Sequence, residues 1–301
     1  MTLPSDEILE RFSRMRVLVH GDLVAPHKPL LCLIALRRLE EGAARLEPYA
    51  SYRDELAPLL GRFGLRQFRA ASPARTANPF WRLQRDGVFE VVPGTGGPDA
   101  LVPDRSGGVG DARLRAAEAR GGFATGIHHA LAASSMLRAA VIGRLLALAF
   151  PDGVHDEVLE AVGLAGSLVA RRPRDPAFRH RVVAAYEHRC AVCAFEVRLE
   201  DRAIAIEAAH IRWHQAAGPD EVSNGLCLCP THHVCFDRGA WTLDDDRRVV
   251  VSDRCRDEHS VLLRFHGRPI RPPVQPRDRP APDHAAWHRA EVFRGDARPV
   301  A

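Results

Sequence analysis

The 301-residue chain has almost no lysine: of its 42 basic residues, Lys28 alone is not an arginine. It also lacks a long apolar run. The longest, residues 139–150, is interrupted by Arg144 and stopped by Pro151. A bilayer-spanning helix needs about 20 apolar residues, so no membrane partner is expected. Nothing after Met1 resembles a secretory signal, and the expected location is cytoplasmic. No internal repeat is visible. A large excess of one charge is missing too, since 42 basic residues face 38 acidic ones and the pI is about 8.8. That balance permits a nucleic acid as partner without requiring one.

What the sequence has is cysteine in two different settings. Cys190, Cys193 and Cys229 stand at metal-ligand spacing, while Cys32, Cys227, Cys235 and Cys255 do not. A cytoplasmic setting argues against a disulfide framework and for metal binding. Cys190-Ala191-Val192-Cys193 places two thiolates on one tight turn, and Cys229-Pro230-Thr231-His232 places a thiolate and an imidazole on another. Four such ligands make a closed tetrahedral Zn²⁺ site with Zn–S distances of about 2.3 Å. A closed site leaves no position for water, so this metal is structural. The competing reading is a redox pair or buried thiols acting as small hydrophobes.

The length suggests two domains. Residues 1–167 read as the first and 177–301 as the second, joined by a proline- and arginine-rich linker, 168–176. In the first, a short amphipathic helix over 5–15 precedes a turn at Gly21-Asp22. Pro26-His27-Lys28-Pro29 then opens an apolar helix over 30–40, because proline is tolerated in a first helical turn. Asn78-Pro79 and Gly94-Thr95-Gly96-Gly97 are turn signals. Between them, 80–92 predicts a hairpin around Arg85-Asp86-Gly87. Helices over 132–149 and 155–164 close the domain. A helix over 177–187 opens the second domain and runs to the first cysteine pair. The arginines of 171–189 are either a solvated face or a phosphate-facing stripe. Residues 204–209 read as a strand ending at His210. Beyond Arg264 the chain is predicted to be extended, with one short helix.

His210, Asn224 and His233 are spaced around the cysteine and histidine pairs. The match extends from Glu207-Ala208-Ala209-His210-Ile211 through Asn224-Gly225-Leu226, Leu228 and Cys229 to His232-His233, Phe236-Asp237 and Gly239. This segment resembles the HNH, or ββα-metal, nuclease motif. Phosphodiester cleavage needs a base for water and charge stabilisation at phosphorus, which a neutral histidine and a divalent cation supply. The resemblance implies that His210 is the general base and that His233 ligates a catalytic Mg²⁺ or Mn²⁺. Asn224 then orients either the active-site loop or the metal shell. Many such motifs carry an acidic metal ligand just before the first histidine; here that position is Ala209. Asp237 is a candidate second ligand, with a purely structural role as its alternative. His214 stands outside the set.

The first domain carries Ala25-Pro26-His27-Lys28-Pro29-Leu30-Leu31 and Asn78-Pro79-Phe80-Trp81-Arg82-Leu83. These segments resemble the sulfur-binding domain of phosphorothioate-dependent, Mcr-type restriction endonucleases; the domain order and Trp287-His288 with Glu291-Val292-Phe293 near the C-terminus are similar to those enzymes as well. A sulfur on phosphorus is larger and less hydrated than oxygen, so an apolar pocket prefers it, while cations hold the remaining charge. The resemblance places Pro79 against the sulfur, with Asn78 before it and Phe80 and Trp81 behind. His27 and Lys28 offer donors at a helix N-terminus. His20, Arg75, Arg82 and Arg105 are further candidates for phosphate or base contacts. Phe80 and Trp81 have core packing as their alternative role.

The expected fold class is α+β: a mainly helical N-terminal α+β DNA-binding domain joined to a C-terminal zinc-containing ββα-metal (HNH) domain. The expected activity is cleavage of double-stranded DNA near a phosphorothioate linkage. One active site per chain and two strand breaks per cut suggest a homodimer on DNA. The alternatives are an HNH nuclease for another modification, such as methylcytosine, or a zinc-containing DNA-binding protein that does not cleave.

Overall fold

The structure is a computed structural model that describes residues 3–20, 23–64, 74–167, 176–200 and 202–299. Two compact units divide the chain, residues 1–172 and 173–301. Most of the expected linker, 168–175, and the expected turn at Gly21-Asp22 lie outside the described residues.

In the first unit, α1 (Ser5–Ser13) leads through the short pair β1 (Val19–His20) and β2 (Leu23–Val24) to α2 (His27–Glu40). α2 starts three residues earlier than its apolar run suggests. Pro29 costs no hydrogen bond in a first turn, and Leu30 N–H already donates to Pro26 O at 2.9 Å. Leu30, Leu31, Cys32, Leu33, Ile34 and Leu36 are fully buried. A helix apolar all round is a core helix. Around it lie α3 (Tyr49–Phe63), α4 (Ala74–Arg82), α5 (Asp111–Ala116), α6 (Thr125–Ala133), α7 (Ser135–Ala149) and α8 (His155–Val162). A three-stranded antiparallel sheet runs in the order β3 (Glu47–Pro48), β5 (Arg120–Phe123), β4 (Phe89–Val92).

Two local expectations fail here and one shifts its boundary. Asn78-Pro79 is not a turn; it lies inside α4. Ala77, Phe80 and Leu83 recur at helical spacing and are fully buried, so packing against α2 and α3 outweighs the proline's missing donor. The 80–92 hairpin is absent as well. The chain leaves α4 through a 3₁₀ turn, Leu83–Asp86, and reverses at Gly87, whose φ of +68° favours glycine. β4 then pairs with β5. The helix expected over 132–149 is present as α7, its start moved to Ser135 because Ser134 caps it by accepting from Leu137 N–H at 3.1 Å. Among the described residues no single helix is long and apolar enough to cross a membrane, and α6 and α7 meet at 113°.

In the second unit, α9 (Pro176–Ala185) precedes the exposed hairpin β6 (Val197–Leu199) and β7 (Arg202–Ile204). The strand expected over 204–209 is broken at Ala205, whose φ is +54°. A second strand, β8 (Glu207–His210), pairs antiparallel with β9 (Gly225–Leu228) and sets His210 opposite Gly225. α10 (Pro230–Asp237) follows at once, giving the order strand, strand, helix. β10 (Trp241–Leu243) and β11 (Val249–Val251) form a further hairpin, and among the described residues of the C-terminal stretch α11 (Pro282–Glu291) is the one α-helix, after a 3₁₀ turn at Pro276–Asp278. Gly225 allows α9 to lie on β9, since a Cβ there would stand 2.4 Å from Val182 Cγ2.

α11 is tied to α10 by His288, which is fully buried. Its ring stacks on Phe236 with centroids 3.7 Å apart. Nδ1 lies 2.9 Å from Thr242 Oγ1, and Nε2 lies 3.2 Å from Phe236 O. Burial lowers the His288 pKa to about 3, so the ring is neutral. The C-terminal Trp-His motif is thus a brace for the helix beneath it.

Candidate functional site

Consecutive residues on an α-helix point about 100° apart. His232 and His233 on α10 therefore serve two sites. Cys229 occupies the N-cap position of α10, and Trp241 Nε1–H donates to His232 O at 3.0 Å, which fixes the helix start. His232 Nδ1 lies 3.0 Å from Cys229 Sγ and 3.8 Å from Cys190 Sγ, and the Cys193 and Cys229 sulfurs are 4.0 Å apart. All four ligand atoms lie within 4.8 Å of one another. A tetrahedral zinc with Zn–S of about 2.3 Å has edges of roughly 3.5–3.8 Å, so the donor set fits such an ion. Burial alone would lower the His232 pKa; contacts with the Cys190, Cys193 and Cys229 sulfurs outweigh it and push it up to about 12. The cluster favours positive charge. Cys227 stays outside it: on β9 it is fully buried, and burial raises its pKa to about 12.

His233 turns the other way. Its Nδ1 is 2.6 Å from Glu207 Oε2, and its Nε2 is 3.3 Å from Asp237 Oδ2. Burial would lower its pKa, but the charge and hydrogen bond of Asp237, then those of Glu207, raise it to about 10. His210 forms a second imidazole–carboxylate pair, with Nε2 2.8 Å from Asp220 Oδ1. Its ring stacks on Phe178 of α9, centroids 4.0 Å apart and planes at 13°. Arg181 on α9 donates to Asp220 O, and Arg179 donates to Ile206 O. Two arginines of the candidate phosphate stripe thus hold the backbone around β8.

Asn224 is fully buried and spends its amide on the loop between β8 and β9. Nδ2 donates to Arg212 O and Pro219 O, and Oδ1 accepts from Arg212 N–H at 2.8 Å. Of the two roles open to Asn224, loop orientation is the one these bonds make. Glu207, Asp220 and Phe178 were given no role from sequence. Period-two alternation puts Glu207 on the same strand face as Ala209 and could have pointed to it. No local pattern marks Asp220.

In the first unit the candidates separate. Lys28 is turned inward: Nζ donates to Arg16 O at 2.6 Å and to Asp86 Oδ2 at 2.5 Å, and the Asp86 side chain is only 2% exposed. His27 is 9% exposed, and burial, aided by the nearby Arg75 charge, lowers its pKa to about 4. Phe80 is a core residue, fully buried among Tyr49, Tyr52 and Phe89 with ring centroids 5.0–5.6 Å away. Pro79 is buried, Asn78 and Arg105 are exposed, and Arg82 is half-buried. Trp81 Nε1–H donates to Gly107 O at 3.1 Å, and Asn78 Oδ1 approaches Gly108, so α4 and the 104–108 turn form one edge. The side chain of His20 lies outside the described residues.

Residues 5–167 match the family described as ScoMcrA-like, DNA sulfur-binding domain. The chain belongs to that family. Residues 190–244 of the second unit match the HNH endonuclease family, and the enzyme is a nuclease. The sulfur-binding domain of ScoMcrA complexed with phosphorothioated DNA is 24% identical, with a TM-score of 0.45; the match covers 54% of this chain and 98% of that one. The corresponding SprMcrA domain, also in complex with phosphorothioated DNA, is 25% identical over 55% of this chain and 97% of that one, with a TM-score of 0.44. The modification-dependent restriction endonuclease TagI is 32% identical over 42% of this chain and 41% of its own, with a TM-score of 0.30. No curated protein matches.

Proposed function

We propose that the sulfur-binding unit captures double-stranded DNA carrying a phosphorothioate linkage and that the HNH unit hydrolyses a phosphodiester bond nearby. The observation that carries the cutting half is the seating of His210 and His233 in two imidazole–carboxylate pairs, beside a Cys₃His cluster that anchors α10, the helix of His233. His210 takes the proton of the attacking water; Asp220 holds its ring, and Phe178 fixes the ring plane. Asn224 keeps the β8–β9 loop in shape. His233 is the ligand for the catalytic cation, Mg²⁺ or Mn²⁺, and Cys190, Cys193, Cys229 and His232 hold a structural Zn²⁺. The divalent ion, when bound, stabilises charge on the phosphate and the leaving oxygen. The products carry 5′-phosphate and 3′-hydroxyl ends. The protein acts in the cytoplasm, and two copies on one duplex supply the two strand breaks.

On the recognition side, α4 and the 104–108 turn present Asn78, Trp81 and Arg82 on one edge, with Pro79 buried beside them. His27 and Arg75 are close neighbours at the start of α2. Lys28 supports this region by holding Arg16 O and Asp86 in place. The test is a binding and cleavage assay on one duplex with and without a single phosphorothioate, at fixed salt and with Mg²⁺ or Mn²⁺. Cleavage that depends on the metal and favours the sulfur duplex is expected; equal binding of both duplexes sinks the recognition half.

A further inference from the structure

Side chains alternate along a strand, so Glu207 and Ala209 of β8 share one face and His210 takes the other. The structure agrees, because His210 stacks on α9 while Glu207 reaches α10. Ala209 offers no ligand. Two residues earlier on the same face, Glu207 meets His233 Nδ1 at 2.6 Å. The other ring nitrogen faces Asp237 at 3.3 Å.

The two carboxylates differ in access. The Asp237 side chain is 3% exposed and that of Glu207 is 41% exposed. Metal-binding histidines commonly donate the N–H that is not at the metal to a carboxylate, which sets tautomer and ring orientation. Buried Asp237, four residues after His233 on the same helix, is placed for that task. Solvent-facing Glu207 stands at the nitrogen a cation from solution can reach.

We propose that Glu207 Oε2 and His233 Nδ1 are the protein ligands of the catalytic divalent cation, and that Asp237 is a positioning residue acting through His233 Nε2. One carboxylate and one imidazole leave room for water and phosphate oxygens, which suits Mg²⁺ or Mn²⁺, ions that keep several waters. This rests on the nuclease reading and deepens it. The rival ligand pair is His210 with Asp220.

The test is Mn²⁺ binding to the full-length, zinc-loaded chain without DNA, read by electron paramagnetic resonance, with ring resonances of the histidines followed by NMR. Mn²⁺ is expected to bind once per chain and to broaden His233 most. Glu207→Gln weakens binding at least tenfold. Asp237→Asn weakens it about tenfold, and ring nitrogen shifts show the His233 tautomer changed, because an asparagine amide can donate where the carboxylate accepted. Asp220→Asn leaves binding within twofold. Zinc content checks that each variant folds, and the broadening pattern of the unaltered chain decides the case without any variant. Broadening centred on His210, no Mn²⁺ binding, or Glu207→Gln binding within twofold of the parent overturns the assignment. Mn²⁺ bound at Glu207 in a chain that cuts no duplex sinks the nuclease reading instead and leaves the cation site standing.

Discussion

α2 of the sulfur-binding unit and α10 of the HNH unit are each the central helix of their unit, and they are held by different forces. From Leu30 to Leu36, no residue of α2 is more than 4% exposed, and every one is apolar. α10 buries His232, His233, Phe236 and Asp237 in only eight residues. Its buried groups are mostly polar and are held by single partners: the Cys229 sulfur beside His232 Nδ1, the Glu207 and Asp237 carboxylates on His233, and the Trp241 indole on the His232 carbonyl. Apolar burial is non-directional and tolerates small changes. A helix fixed by polar contacts depends on single partners, because a buried group left unpaired is costly. The first unit can therefore be loosened by degrees, and the second should fail at single atoms.

The largest test of that contrast is metal removal. Stripping the Cys190–Cys193–Cys229–His232 cluster with a chelator, or substituting Cys193→Ala, should abolish the folding transition of the HNH unit and leave that of the sulfur-binding unit. Structural zinc contributes on the order of 10 kcal/mol in small zinc domains. Calorimetry with zinc analysis checks this, and two transitions that both survive chelation would break the contrast. His210→Ala comes next. Cleavage should fall by roughly 10²- to 10⁴-fold, with sulfur-dependent binding unchanged; a variant that still cuts normally removes His210 from the mechanism.

Lys28→Ala probes a buried charge pair of the apolar unit. It leaves the Asp86 carboxylate buried without its ammonium partner, at a cost of about 3–5 kcal/mol. Adding Asp86→Ala should recover most of the loss, and the HNH transition should not move. Loss of DNA affinity at unchanged stability would return Lys28 to the phosphate contacts. The smallest effect is a pH slope from His288. Its folded pKa of about 3 lies below the ordinary 6.5. Between those values the unfolded chain binds a proton that the folded one does not, so stability falls as pH falls from 6.5 toward 3. The slope is about 1.4 kcal/mol per pH unit at most. His288→Gln should flatten it in the HNH transition only; an unchanged slope would place the titrating group elsewhere.

Much of the nuclease site was legible because its residues are close in sequence and their spacing carries the chemistry. Paired cysteine and histidine motifs announce a tetrahedral cluster wherever the chain between them goes. The candidate recognition residues were less legible. Asn78-Pro79 read as a turn and Phe80 as a pocket wall or a core residue, yet α4 carries Pro79 and Phe80 inward, since Ala77, Phe80 and Leu83 pack on α2 and α3. A proline signal is local, and tertiary packing outweighs it. Asp220 was invisible for a similar reason: a lone aspartate in a loop acquires its role only when Asn224 folds that loop back.

By itself, the sequence determined the chemistry available: a sulfur-rich cluster, two histidines at the spacing of an HNH motif, and a core helix from an apolar run. These depend on residue type and short-range spacing, which the chain carries directly. The tertiary structure decided the partners. It set Glu207 and Asp237 on the two nitrogens of His233, gave Asp220 to His210, and turned Lys28 from the surface toward Asp86. The His233–Asp237 pair follows from the pitch of one helix; the other pairings join residues from separate elements or loops, and only packing sets their distance.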